Sequence, residues 1–319
     1  MRELVVAACA ALICLSACRE KPVSAFSFQG LGGDLTVTYA GPRDAALEEQ
    51  VQRRVGEISA TLNYYSPGSL LTHLNASAHK GPVAVPGWLC RLLEGSVAFS
   101  RETGGRFDIT YKSEGYLWDI HRAEVPDPAA VRELLPLVGV ENLALDCEKN
   151  TVAIRREGVK LDLGGIAAGY AADETRRIME QAGSKDFLVN YTGELVVCGS
   201  KHGKPWTVGI RNPLKKEELI KTFSTPIDGC LSISTSGDYE RYLEKNGKRY
   251  SHIIDPKSGL PVEGAHSVTV SAADCMTADA LATALSVGWR DRGFITEMKQ
   301  RYGLTVHMLT GDEVTLTEY

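Results

Sequence analysis

Apolar residues recur at three- and four-residue spacing from Leu47 through Val51, Val55 and Ile58 to Leu62. That spacing predicts one buried stripe along a helix, with Pro42 and Asp44 at its start. Two further helices are predicted over Gly87–Thr103, stopped by Gly104-Gly105, and over Pro128–Leu137, begun by Asp127. Elsewhere the period shortens to two. "DLTVTYAG" from Asp34 reads as a strand, as do "NLALD", "TVAIRR", "PWTVGIRNP" and "HSVTVSA". "DFLVNYTGELVVCGS" and "CLSISTSGDYERYL" are strand-rich with glycine turns. "VKLDLGGIAAGYAADETRRIMEQAG" reads as strand, glycine turn and helix. "TADALATALSVGW" is a helix apolar on most faces and therefore mostly buried. A last helix near Asp291–Tyr302 precedes two closing strands. No Pro/Gly/Ser linker divides this body, so the pattern predicts one α+β domain of mixed or antiparallel sheets and packed helices, with room for two lobes.

The beginning of the chain stands apart. One arginine precedes an apolar run from Leu4 to Leu15, too short to span a bilayer comfortably and followed by "LSAC". This reads as a bacterial lipoprotein signal over 1–17, with acylation expected at Cys18, a linker over 18–25 and the folded domain over 26–319. The expected location is exported and membrane-anchored, on the periplasmic or outer face, held by acyl chains that do not span the membrane. A net charge of −5 argues against a nucleic-acid surface, which would be basic. The body keeps Cys90, Cys147, Cys198, Cys230 and Cys275 at wide spacings with no CxxC metal pair. Buried free thiols are the simple expectation for most of them; an exported chain also permits disulfides, whose pairing the spacings do not assign.

Four stretches carry candidate chemistry. In "LDLGGIAAGYAAD", Asp162 precedes two glycines and a helix start, where backbone N–H groups favour an anion. A tight strand-to-helix turn explains the same residues, and the spacing is not the dinucleotide fingerprint. In the "TADALATALSVGW" helix, Asp279 and Thr283 share one side, surrounded by apolar residues. A carboxylate in such company must be paired, hydrogen-bonded or metal-bound, and carboxylate plus hydroxyl suits a hard cation such as Mg²⁺. "ETGGRFDIT" places Arg106, Phe107 and Asp108 after a glycine helix stop. "TSGDYERYLEKNGKRYSHIIDPKSG" reads as a hairpin turning at Asn246-Gly247, followed by His252 and the Asp255-Pro256 turn. By itself it fits a satisfied structural histidine.

In this order, with "LNYYSPGSLLTHLNAS", "LWDI", "NYTGE" and "SVTVSAADCMTADALATAL", these pieces resemble the ApbE family of FAD:protein FMN transferases, from about Asn63 to Leu285. The resemblance implies that FAD is bound with Mg²⁺ as the cofactor and its pyrophosphate is broken. FMN is then joined to a threonine hydroxyl in a motif of partner proteins, typically of membrane electron-transfer complexes, and AMP is released. It assigns the metal to Asp279, Thr283 and a backbone carbonyl at Gly165. It assigns FAD contacts to Tyr64 or Tyr65, Arg106, Phe107, Asp108, Asp162, the Ala168 position, His252 and Ile253. His252 is placed near the reacting phosphate. The base for the threonine is then His252, an imidazole being suited to neutral pH, or a carboxylate such as Asp255 or Asp238.

The chain departs from the family pattern at Ala168, where lysine is usual, at "NYTGE", where Thr192 and Glu194 replace glycine and aspartate, and at Arg106, where alanine is usual. The missing lysine weakens the expected grip on the diphosphate, for which Arg106 offers a compensating charge. Two alternative functions follow: an FAD pyrophosphatase yielding FMN and AMP, and an FAD-binding lipoprotein with weakened catalysis.

Overall fold

The computed structural model describes residues 22–118, 125–212, 215, 217–237, 242–245, 248–311 and 315–319. Cys18, Asp238 and the Asn246-Gly247 turn lie outside the described residues. Eight strands form one sheet whose order is the order of the chain. They are β1 (Val23–Gly30), β2 (Gly33–Ala40), β3 (Phe187–Tyr191), β4 (Glu194–Cys198), β5 (Cys230–Gly237), β6 (Ala265–Ala272), β7 (Thr305–Thr310) and β8 (Thr315–Glu318). Every neighbouring pair is antiparallel. This sheet is the largest of the α+β domain; among the described residues a three-stranded sheet and four two-stranded pairs accompany it.

Antiparallel neighbours need only a tight turn, yet several connections are long. The connection from β2 to β3 holds α1 (Ala45–Leu62), α2 (Leu70–Ser77), α3 (Gly87–Glu102), α4 (Lys112–Gly115), α5 (Pro128–Leu134) and α6 (Ala167–Gln181). That from β6 to β7 holds α7 (Cys275–Val287) and α8 (Arg292–Tyr302). That from β5 to β6 holds a hairpin, Tyr242–Lys245 with Lys248–Ser251, and the short pair Ile254–Asp255 with Leu260–Pro261. The candidate residues all sit in these three insertions.

The core lies between one face of the sheet and the helices. Val37, Val189, Val196, Val268 and Val270 are fully buried on the strands. Helices α6 and α7 pack over them, and α1 packs on α6. The predicted stripe Leu47, Val51, Val55, Ile58 and Leu62 is the buried face of α1, and Asp44 caps that helix by accepting from the Ala46 and Leu47 amides. Val197 and Ile233 point to the other face, where Trp206 and Val208 cover them.

Several expectations need correction. Val23, Ser24 and Ala25 belong to β1 rather than to a linker, because they pair with Ala40, Tyr39 and Thr38. Residues 159–163 join no sheet. Side chains satisfy their backbone instead: Asn75 donates to the Leu161 carbonyl and accepts from its amide, and Ser113 accepts from the Lys160 amide. The Pro128–Leu137 helix tightens to a 3₁₀ turn at Leu135–Leu137, where Pro136 has no amide to give. Helix α2, capped by Ser69, has no counterpart in the sequence reading. Four of the body cysteines are not free thiols: Cys90 is bonded to Cys147, and Cys198 to Cys230, its direct partner across β4 and β5. Cys275 remains a buried thiol.

Candidate active site

The floor of the site is the crossing of α6 and α7. Asp162 opens it by accepting from the Gly164 amide at 2.7 Å, which turns the chain into α6. At Gly169 the two helices touch. A Cβ there would lie 2.5 Å from the Cys275 carbonyl oxygen and 2.8 Å from the Asp279 Cβ, so only glycine fits. The Gly169 amide donates to Asp279 Oδ2 at 2.9 Å. Helix α7 is fixed at its start by two carboxylates. Asp274 accepts from the Thr277 amide, and Asp173, reaching over from α6, accepts from the Cys275 and Met276 amides. Burial pushes the Asp173 carboxyl up to about 6 even against those two amides.

Asp279 is 4% exposed. Burial, and next the nearby Glu194 carboxylate, push its carboxyl well up; the Gly169 amide opposes them only in part. Four residues on, Thr283 faces the glycine turn: its Oγ1 lies 3.0 Å from where a Cβ on Gly165 would be, and 3.3 Å from Ser236 Oγ at the end of β5. A buried acid near a second acid, with a hydroxyl facing the glycine turn, is a donor set of hard oxygens. It fits a small divalent cation. The predicted ligands Asp279, Thr283 and Gly165 are therefore brought together. Ser236 joins them; its signal in the sequence was its place in "TSGD", at the end of a strand.

Phe107 walls this floor. Its ring, 4% exposed, lies 3.5 Å from the Gly165 Cβ position and packs edge-on against Phe99. Its neighbours in the sequence do other work. Asp108 is buried and accepts from Ser100 Oγ, the Thr110 amide and Thr110 Oγ1, so it ties its own loop together. Arg106 turns to the α7–α8 junction, pairing with Asp291 at 2.7 Å and stacking on Phe294. The compensating charge expected at the diphosphate is committed elsewhere. Ala168, in the first turn of α6, is half-buried and brings no charge.

Beside Asp162 stands an aromatic group. Tyr111 donates to Asp162 Oδ2 at 3.4 Å; half-buried Tyr64 and exposed Tyr65 meet edge to face; and Lys112 lies over the Tyr64 and Tyr111 rings. Tyr65 is 75% exposed and offers a flat apolar face to solvent. Burial, and then the Asp162 charge, push the Tyr64 and Tyr111 hydroxyls up, so both stay protonated donors. Tyr111 and Lys112 escaped the sequence reading, because "YKSEG" shows no apolar periodicity and no glycine pair.

His252 is half-exposed between buried Ser251 and Ile253. Ile253 is fixed through its backbone: its amide donates to Ser251 Oγ and its carbonyl accepts from Val262. Asp255 spends its side chain on the turn, accepting from the Lys257 amide and Ser258 Oγ. Both of its carboxylate oxygens thus help to build the turn. A cavity of about 420 Å³ separates this turn from the glycine loop, lined by Gly104, Gly105, Asp108, Gly139, Pro256 and Lys257 among others.

The profile of the ApbE family matches residues 31–304. The chain is 31% identical over 305 residues to the FAD:protein FMN transferase of Vibrio cholerae serotype O1, covering 92% of this chain and 90% of the relative. It is 32% identical over 276 residues to that of Escherichia coli K12, covering 84% and 78%. The crystal structure of the ApbE protein from Thermotoga maritima superposes with a TM-score of 0.85 at 27% identity, over 93% of this chain and 97% of that one. The chain belongs to the ApbE family.

Proposed function

We propose that this protein transfers FMN from FAD to a threonine hydroxyl of partner proteins, releasing AMP. The observation that carries the reading is the α6–α7 crossing. It holds Asp279 buried against Gly169 with Thr283 facing Gly165, in a chain whose relatives are named FAD:protein FMN transferases. Asp279, Thr283 and the Gly165 carbonyl would hold Mg²⁺, which when bound neutralises charge gathering on the diphosphate oxygens.

The protein's own residues supply the rest. Tyr64 and Tyr65 offer faces on which a flavin ring stacks, with Phe107 as the apolar wall nearer the metal ligands. The threonine oxygen attacks the FMN phosphorus. The P–O bond to AMP breaks, and AMP leaves with the electron pair. His252 takes the threonine proton, since Asp255 is occupied in its turn. The partners are membrane electron-transfer proteins carrying a threonine motif. Acylation at Cys18 would keep the enzyme at the same surface, and the two disulfides suit an exported, oxidising location.

The test is incubation of the purified protein with FAD, Mg²⁺ and a threonine-bearing acceptor. The expected result is an acceptor heavier by one FMN, with AMP released in equal amount. No mass gain with any divalent metal refutes the transfer. AMP release at the same rate without acceptor would instead make the enzyme a pyrophosphatase.

A further inference from the structure

Glu114, on α4, is fully buried, and both its carboxylate oxygens lack a hydrogen-bond partner among the described residues. A charged carboxylate in that position would be costly, so the site selects the neutral acid. Glu114 lies under the turn that follows His252. A Cβ on Gly259 would meet Glu114 Oε2 at 3.2 Å and Val131 of α5 at 2.4 Å, and Gly259 holds a left-handed φ of +67°. The same turn is fastened from this side by the Trp118 indole, which donates to the Gly259 carbonyl at 2.9 Å. On its far side Lys257 packs against Gly105 of the glycine loop.

The charged groups acting on Glu114 are Lys112 on its own helix and Asp255 on the turn; α5 presents the apolar Val131. Lys112 favours ionisation of Glu114, and Asp255 opposes it. Lys112 is also engaged with the Tyr64 and Tyr111 rings.

The geometry points to Glu114 as a protonation-dependent positioning residue: neutral, it seats the Asp255–Gly259 turn and so sets His252, and ionised, it repels Asp255 and unseats that turn. Burial raises the Glu114 carboxyl to about 7, which puts the transition in the neutral range. The inference rests on the proposed transfer for its catalytic consequence, though the titration itself is independent of it.

The sign follows from linkage. The unfolded chain releases this proton near the ordinary glutamate value of 4.5, whereas the fold keeps it to about 7. Between those values the folded state holds more protons, so stability falls as pH rises and levels off above the upper one. The experiment compares the wild-type chain with Glu114→Gln, which mimics the neutral acid, and Glu114→Leu, which fills the space without a polar group. Melting temperature and FMN transfer are read from about pH 5 to about pH 8.5, a range that brackets the transition. In melting, Glu114→Gln should gain on wild type as pH rises through the window. In transfer, wild type should lose up to about tenfold per pH unit above the break, while both variants stay flat there. The difference between the wild-type and variant profiles is the readout. Parallel melting curves overturn the proposal. A melting gap with parallel transfer profiles also overturns it, because the turn is then seated regardless of charge. A melting gap in a protein that transfers no FMN upholds the Glu114 seat and sinks the flavin-transfer reading instead.

Discussion

The α6–α7 crossing and the Asp255–Gly259 turn are built in opposite ways. At the crossing, backbone meets backbone: the Gly169 amide reaches Asp279, and carboxylates from two helices cap α7. At the turn, a carboxylate bonds the backbone and hydroxyl of its own neighbours, and the supporting ladder pairs only Ile254 with Pro261 and Asp255 with Leu260. A cation needs fixed oxygens, which rigid helices supply. The turn beside the proposed base His252 is a local, more easily opened element. The crossing is thus tied into the core, whereas the turn is held mostly by bonds within itself.

The largest effects should come from the crossing. Gly169→Ala drives a methyl into the Cys275 carbonyl and the Asp279 Cβ, neither of which can give way. It should cost about 3 kcal/mol or more, by analogy with overpacked cores, and abolish transfer. Thermal melting checks it, and a normally stable variant would show that the helices can part. Asp279→Ala separates the two roles of the same contact. Transfer should fall by roughly a thousandfold, in line with lost electrostatic stabilisation at a reacting centre. Melting without metal should shift little, since a buried acid is removed along with the bond to Gly169. The decisive readout is the rise in melting temperature on adding Mg²⁺, expected in wild type and absent in the variant. A preserved rise would remove Asp279 from the metal site.

At the turn the effect should be smaller and local. Asp255→Ala removes the bonds to the Lys257 amide and Ser258, worth about 1 kcal/mol each at most. Transfer should slow by about tenfold through a misplaced His252. Exchange of the Gly259 amide should quicken while the α7 amides stay protected. A loss as deep as that of Asp279→Ala would make Asp255 the base after all, and the contrast between the two regions would fail.

Much of the crossing was legible in the sequence, because its signals are local. Asp279 and Thr283 are one helical turn apart in apolar company, and the glycines that turn into α6 lie next to Asp162. The α1 stripe was legible for the same reason. What could not be read depends on residues far along the chain. Gly169 must be glycine because of Cys275 and Asp279, about a hundred residues later. The stretch before Asp162 looks like a strand but bonds Asn75 and Ser113 side chains, which no periodicity announces. Cysteine pairing likewise follows from which strands and helices become neighbours. Glu114 sits in "YKSEG", where only the fold shows that the acid is enclosed.

Arg106 gives the gentlest test, and it probes where the site ends. Its guanidinium joins Asp291, 185 residues away in the chain, and covers the Phe294 ring at the start of α8. Side chains at that pair are partly exposed, 27% and 48%, so solvent screens the attraction. Arg106→Ala should therefore cost only about 1 kcal/mol, the sum of a weak ion pair and a cation–π contact, and lower the melting temperature by a few degrees at most. If the charge belongs to the α7–α8 junction, KM for FAD and the rate of transfer should both stay within about twofold of wild type, since no interaction made in the transition state is removed. Added salt should shrink the stability difference further, as it does for exposed pairs. A tenfold rise in KM for FAD with an unchanged rate would mean that Arg106 leaves Asp291 to bind the diphosphate, supplying the charge that Ala168 lacks.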